Sequence, residues 1–333
     1  MPRRRWPILA VAALLLATTP RPIAAETASV RIGLQYGLVY LPVVVAQNAG
    51  LFEKHAKEAG LPGLTVSLSR FSGSTAMNEA LFSDSVDLGT LGSAGALIAW
   101  DKTRGRQQVK SLAALSSVTY TLYANKPALK SLKDFGPDQK IAIPAFNSPQ
   151  AILLRIAAEK DLGDRRKADP MMVSLPHPDA TAAVLAGQAV AGYFATPPFA
   201  QLLKEDARVH VVMTSTDLLE GGDPTAATLA AKQSFVDANP KVAQALLAGL
   251  EDANRLIRED PKRAADIYLA SETVQQTVPQ IVAMLTDGSI TYDVVPRGVA
   301  GLGRAMVAQE FLRKAPSTWK DVFFPNLGAR NGS

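Results

Sequence analysis

The chain has 333 residues, with 35 lysines and arginines against 30 aspartates and glutamates, and no cysteine. That length accommodates one large domain or two lobes of ~150 residues each. Without cysteine, disulfides, thiolate metal sites, cysteine nucleophiles and a lipid-modified anchoring cysteine are all excluded.

The charge is unevenly placed. Arg3, Arg4 and Arg5 precede an apolar run over residues 6–17 that is broken by Pro7, and Ala24-Ala25 offers small residues before a cut after Ala25. This order predicts a secretory signal peptide over residues 1–25 and a periplasmic mature protein. The apolar core of about a dozen residues is short of the roughly 20 that a spanning helix needs. Arg21 is the fourth cation of a segment without acids, so its removal takes the net charge from +5 to +1. The basic character belongs to the leader, and no nucleic-acid partner is expected.

From residue 29 to 34, Val30, Ile32 and Leu34 alternate with polar or small residues, which predicts a strand. A loop over residues 35–41 follows, and Pro42 suits the first turn of a helix reaching Asn48. Residues 64–68 form a second strand. It leads through Phe71-Ser72-Gly73-Ser74-Thr75 into a helix over residues 76–82. Val86-Asp87-Leu88-Gly89 is a third strand, and Ser93 opens a helix to Trp100. The pattern then recurs: a strand at 140–143, a helix opened by Asn147-Ser148-Pro149, a strand at 172–175, and a helix at 180–186 after His177-Pro178-Asp179. A constant offset of 104 superposes Thr75 on Asp179, Val86 on Val190 and Ser93 on Pro197. Strands alternating with helices at this spacing predict parallel sheets covered on both faces, in two similar lobes.

Two strand-like stretches, residues 113–125 and 209–215, are expected to cross between the lobes as a hinge. The resulting division is 26–118 for the first part of lobe I, 119–212 for lobe II, and 213–333 for the return to lobe I. Asn239-Pro240 and Asp260-Pro261 each open a helix with an Asx cap and Pro in the first turn. Both helices are expected to pack on lobe I. The tail, with Trp319, Phe323 and Phe324, either clips onto the surface or frays.

No G-x-S-x-G, Walker loop, H-E-x-x-H or strand-following G-x-G-x-x-G occurs. His55 lies among charged residues, His210 flanks the return strand, and His177 sits in a strand-to-helix loop without a second ligand at metal spacing. The candidate binding residues are small polar groups where strands give way to helices: Ser72, Gly73, Ser74, Ser93, Asn147 and Ser148. Ordinary capping accounts for any one of them. Together they mark the carboxyl ends of parallel strands, where open α/β sheets bind ligands and helix N–H groups suit oxygen-rich groups. Gln35, Tyr36 and Tyr40 belong to the loop after the first strand, and Tyr193 and Thr196 take the comparable place in the second half.

Several segments carry a resemblance: Ile32-Gly33-Leu34 through Pro42, Gly50-Leu51-Phe52-Glu53-Lys54, Phe71 to Asn78, Ser85-Val86-Asp87-Leu88-Gly89, and Gly187 to Phe199. Together they resemble the nitrate, sulfonate and taurine type of solute-binding protein of ABC importers, a group that includes pyrimidine-precursor binders. The resemblance implies an α/β chain of two lobes, the type II periplasmic-binding-protein fold, with a hinge and a ligand cleft between doubly wound sheets. It implies a monomer that captures a small organic anion, such as an aliphatic sulfonate, for an inner-membrane ABC permease with its ATPase. No cofactor, metal or catalysis is implied. The family's cleft contacts fall on the loop after the first strand, the Ser72-Gly73-Ser74 loop, Ser93 and the Asn147 helix start. This chain departs from the family at Val190-Ala191-Gly192, where an acid is common, and at Ala195-Thr196-Pro197, where Trp-Glu-Pro is frequent. No Arg or Lys is placed in the cleft by a motif, which weighs against nitrate. Two alternatives stand beside this reading: an enzyme of cofactor-precursor metabolism on the same fold, and a periplasmic ligand sensor.

Overall fold

The computed structural model describes residues 25–333 except 137, 188, 189, 220–223 and 329, so the expected signal peptide lies, apart from Ala25, outside the described residues. The chain opens with β1 (Ser29–Leu34), α1 (Leu41–Asn48), α2 (Leu51–Glu58), β2 (Thr65–Arg70), α3 (Ser74–Phe82), β3 (Leu88–Gly92), α4 (Ser93–Thr103) and β4 (Val109–Val118). It then crosses to β5 (Thr121–Ala124), β6 (Lys140–Ile143), α5 (Pro149–Leu162), β7 (Met172–Ser174), α6 (His177–Ala186), β8 (Val190–Ala195), α7 (Phe199–Glu205) and β9 (His210–Thr214). The return delivers β10 (Thr225–Lys232), α8 (Gln233–Ala238), α9 (Pro240–Glu259), α10 (Pro261–Ser271), α11 (Val278–Thr286), β11 (Ile290–Thr291) and α12 (Val299–Ala308).

Two sheets result, in the orders β11-β4-β10-β3-β1-β2 and β7-β6-β8-β5-β9. Apart from the short β11, they repeat one plan. β1 is parallel to β2 and β3, as β6 is to β7 and β8. Each sheet then adds an antiparallel strand, β10 beside β3 and β5 beside β8. The expectation of wholly parallel sheets is therefore corrected: both are mixed. The antiparallel strand of each sheet is the one delivered by a crossover, so both crossings enter the middle of a sheet.

The hinge expectation is also corrected at its second arm. The chain leaves the first sheet between Val118 and Thr121, inside the expected stretch. Residues 209–215, however, supply β9, an edge strand of the second sheet paired with β5. The return crossing comes later, between Thr214 and Thr225, and ends in β10, a strand without an anticipated counterpart in the sequence. Every residue of β10 is buried, so it has no polar alternation, and its alanines carry little strand propensity.

The C-terminal helices close the first lobe. α9 packs across α1 and α2, burying Val242, Leu246, Leu250, Ala253 and Ile257 on one face. Gly249 makes the approach possible: a Cβ there would lie 2.6 Å from Cδ1 of the buried Phe52. The tail clips on and does not fray. Ser111 N donates to Val322 O (2.9 Å) and Phe324 N to Ser111 O (2.9 Å). Trp319, Phe323 and Phe324 are all buried there. No helix among the described residues is long and apolar enough to cross a membrane.

Candidate functional site

The carboxyl ends of β1, β3, β6 and β8 face one another across the two sheets. Between them lies a cavity of about 20 Å³ lined by Gln35, Val39, Tyr40, Ser74, Gly92, Tyr120, Pro144, Ser148, Pro149, Gln150, His177, Thr196 and Ala226. The first turns of four helices reach it: Ser74 opens α3, Gly92 precedes α4, Ser148 to Gln150 open α5, and His177 opens α6. Each follows a strand directly, so the fold aims four positive dipole ends at one point. The caps reinforce this. Ser148 accepts from Ala151 N (3.3 Å), but α3, α4 and α6 have no side-chain cap. Their first N–H groups therefore remain available to a guest.

The small size has a steric origin. A Cβ on Gly73 would lie 2.7 Å from Pro144 O, and one on Gly92 would lie 2.8 Å from Pro149 Cδ. The lobes thus meet through backbone at positions where only glycine fits. Leu38 N donates to Pro197 O across the same gap (3.2 Å), and Thr75 Oγ1 donates to Asn147 Oδ1 at the rim (3.0 Å). A space of this volume holds about one water molecule. The cleft is shut.

No side chain lining it is an acid, a lysine or an arginine. His177 is the one base, and burial pushes its imidazole down to about 4, so it is neutral at pH 7. Its Nδ1 is hydrogen-bonded to the Tyr193 hydroxyl, and its ring stacks on Phe199 with centroids 5.5 Å apart. Burial first, and Glu272 second, raise the Tyr40 phenol; burial, and then Tyr40, raise that of Tyr120. Both phenols stay protonated. Tyr120 donates to Ala226 O (3.2 Å). The site offers hydroxyls, amides and helix N–H groups without a formal charge.

The sequence candidates distribute unevenly around this cavity. Gln35, Tyr40, Ser74, Ser148 and Thr196 line it. Gln35 is fixed by its Nε2 donating to Thr90 O (2.7 Å). Gly73 forms the contact with Pro144, and Asn147 sits at the rim. Tyr193 stands behind His177. Ser93 is buried outside the lining, its Oγ without a partner among the described residues. Ser72 is exposed. Tyr36 lies beneath the Arg70 guanidinium, 5.2 Å from the ring centroid, and packs toward the second lobe. Val39, Gly92, Tyr120, Pro144, Pro149, Gln150, His177 and Ala226 complete the lining and stand outside the sequence candidates. Tyr120 comes from the crossover and Ala226 from β10, places with no strand-to-helix signature. Gln150, two residues past Ser148, shared the signal and could have been named.

The loop after β1 is held from below. Gly37 N donates to Glu272 Oε1 (3.0 Å), and Arg70 Nη1 reaches Gln35 O (3.0 Å) and Glu272 Oε1 (3.4 Å). Burial raises the Glu272 carboxyl, and Arg70 opposes that rise. The segment after α10 continues to the other lobe, where Gln276 Nε2 donates to Pro198 O (3.1 Å). Arg70 is thus a support of the loop after β1 and not part of the lining. Among the described residues there is no group of three His, Cys, Asp or Glu side chains able to hold a metal.

The fold has counterparts among known proteins. The alkanesulfonate-binding protein SsuA from Xanthomonas axonopodis pv. citri, bound to MOPS, superposes with a TM-score of 0.69 at 22% identity, over 87% of this chain and 96% of that one. The periplasmic aliphatic sulphonate binding protein SsuA from Escherichia coli gives 0.63 at 22% identity, over 90% and 92%. The periplasmic nitrate-binding protein NrtA from Synechocystis PCC 6803 gives 0.62 at 18% identity, over 78% and 70%. These likenesses show the two-lobed periplasmic-binding-protein fold. No curated protein matches by sequence. Residues 23–270 match the NMT1-like family, and the chain belongs to it.

Proposed function

We propose that this member of the NMT1-like family is an exported solute-binding protein that captures a small organic anion, such as an aliphatic sulfonate, for an ABC importer. The observation that carries the reading is the uncharged polar cavity between two lobes, bounded by the first turns of α3, α4, α5 and α6. Converging helix ends stabilise an oxyanion without a counter-cation. Val39, Pro149 and Ala226 give the same cavity apolar surface for a short organic tail.

Binding needs no covalent step. The free energy of ligand contacts shifts an open–closed equilibrium, and the filled closed form presents itself to a permease and its ATPase. Since the shut cavity holds about one water, a ligand of several heavy atoms settles in a form less tightly closed than this one. The periplasm is the compartment this role requires, and a monomer is sufficient for it.

The test is a thermal-shift and calorimetry screen of the mature protein against MOPS, short alkanesulfonates, nitrate, aromatic acids and pyrimidines. A sulfonate should raise Tm by linkage. Ser148→Ala should weaken that binding and cost about 1 kcal/mol of stability through the lost cap. Steady chemical conversion of any hit, or sulfonate affinity untouched by Ser148→Ala, would contradict the proposal.

A further inference from the structure

A second pocket lies at the other end of α4. It has a volume of about 350 Å³ and is lined by Trp100, Arg104, Gly105, Gln108, Lys110, Lys314, Ala315, Ser317, Lys320 and Asp321. α4 has eleven residues, which separates this pocket from the cleft by roughly 16 Å of helix. The volume is within the range of small-ligand sites.

Its charge is the unusual feature. Four of the lining side chains are cations and one is a carboxylate. That carboxylate, Asp321, is already engaged, accepting from Ser317 N (2.7 Å) and Thr318 N (3.2 Å). Three lysines elsewhere do meet carboxylates: Lys54 meets Asp252 at 3.0 Å, Lys262 meets Asp266 at 2.8 Å, and Lys232 meets Asp84 at 2.8 Å. Among the described residues, none of Lys110, Lys314 and Lys320 has a carboxylate within ion-pairing distance. Like charges gathered in one concavity repel, and a bound anion removes that cost.

The pocket is also partly organised in advance. The Arg104 guanidinium lies over the Trp100 ring, 4.9 Å from its centroid, and is tied to Asp101. Asp101 is itself buried and accepts from Arg313 N (3.0 Å). A guanidinium has five N–H donors, so this anchoring leaves others free to turn toward a guest. One fixed fork beside three ammonium groups, of which that of Lys320 lies 5.7 Å from the Trp319 ring centroid, matches a tetrahedral, multiply charged oxyanion.

We propose that this pocket is a second binding site, for a phosphate-bearing group, independent of the cleft. The group is presented either by a soluble phosphate ester or by an anionic lipid headgroup, which share the chemistry that the pocket recognises.

The mature protein is assayed with sodium pyrophosphate against sodium chloride at matched ionic strength, and with phosphatidylglycerol against phosphatidylcholine vesicles by sedimentation. Pyrophosphate should raise Tm, or the anionic vesicles should retain the protein; the arm that responds identifies the source. Lys110→Gln with Lys314→Gln should weaken the response by about tenfold or more, as expected for two lost charge-assisted contacts. Lys314→Gln alone, an exposed change in the tail, should give a partial loss and keeps the test readable if the double variant folds poorly. Ser148→Ala should leave the response intact. Absence of both responses in the wild type, or full responses in both lysine variants, overturns the proposal.

Discussion

His177 is a base kept neutral by its surroundings, and that has a thermodynamic consequence. Burial holds its folded-state value at about 4 against 6.5 for the free side chain. The unfolded chain therefore binds a proton that the folded one refuses. The stabilisation is complete above 6.5 and is lost as pH falls through the window toward 4, on the order of 3 kcal/mol. Glu272, raised by burial, contributes with the opposite slope above its ordinary value, so the wild-type curve alone does not isolate the histidine. Comparing wild type with His177→Gln by denaturant titration between pH 4 and 7 does. The variant should have a visibly flatter acid limb, and identical limbs would mean that His177 titrates normally. Sequence alone marked His177 as a loop residue without a metal partner; its burial against Tyr193 and Phe199 depends on contacts that local spacing does not encode. Ser74 and Ser148 were legible for the opposite reason. A serine between an apolar strand and a helix is a local signal, and the fold sends every such junction to the same edge. Ser72 and Asn147 carry the same signal two positions and one position away, and they fall on the surface and the rim.

At the scale of elements, α9 and α2 depend on a close approach. Gly249 has no room for a methyl beside Phe52, so Gly249→Ala should cost about 1–3 kcal/mol by overpacking, despite the better helix propensity of alanine. Denaturant midpoints check this, and a neutral or stabilising result would show that the two helices can part freely. The helices themselves were readable because Asn239-Pro240 and Asp260-Pro261 are strong start signals. β10 was not, because a strand buried on both faces, with four alanines in eight residues and only Thr225 and Thr228 β-branched, lacks both alternation and strong strand propensity. Its absence from the sequence reading moved the return crossing onto β9, which does alternate weakly but ends at a sheet edge. The weak internal offset of 104 residues is matched by the corresponding order and direction of strands in the two sheets. Alternation and turn chemistry recover parallel β-α units; they are blind to a strand whose place is set by crossing from elsewhere.

For the whole molecule, the decisive geometry is the meeting of two lobes through glycine. A methyl at residue 73 would sit 2.7 Å from Pro144 O, so Gly73→Ala should hold the cleft ajar while each lobe keeps its own core. Small-angle scattering with saturating ligand should show the wild type contracting and Gly73→Ala contracting less, with weaker affinity and little change in Tm without ligand. Equal contraction would mean that this contact does not limit closure.

The same backbone seam, with Leu38 bonded to Pro197 on one side and Thr75 to Asn147 on the other, also governs time. A guest sealed behind it departs only after the lobes separate, so its rate of departure is capped by a property of the receptor and not of the guest. Chemically different cargoes should then dissociate at rates that converge on a common value, even where their affinities differ. The receptor would hold each molecule until something pulls the lobes apart, and release becomes an act of the partner that opens it.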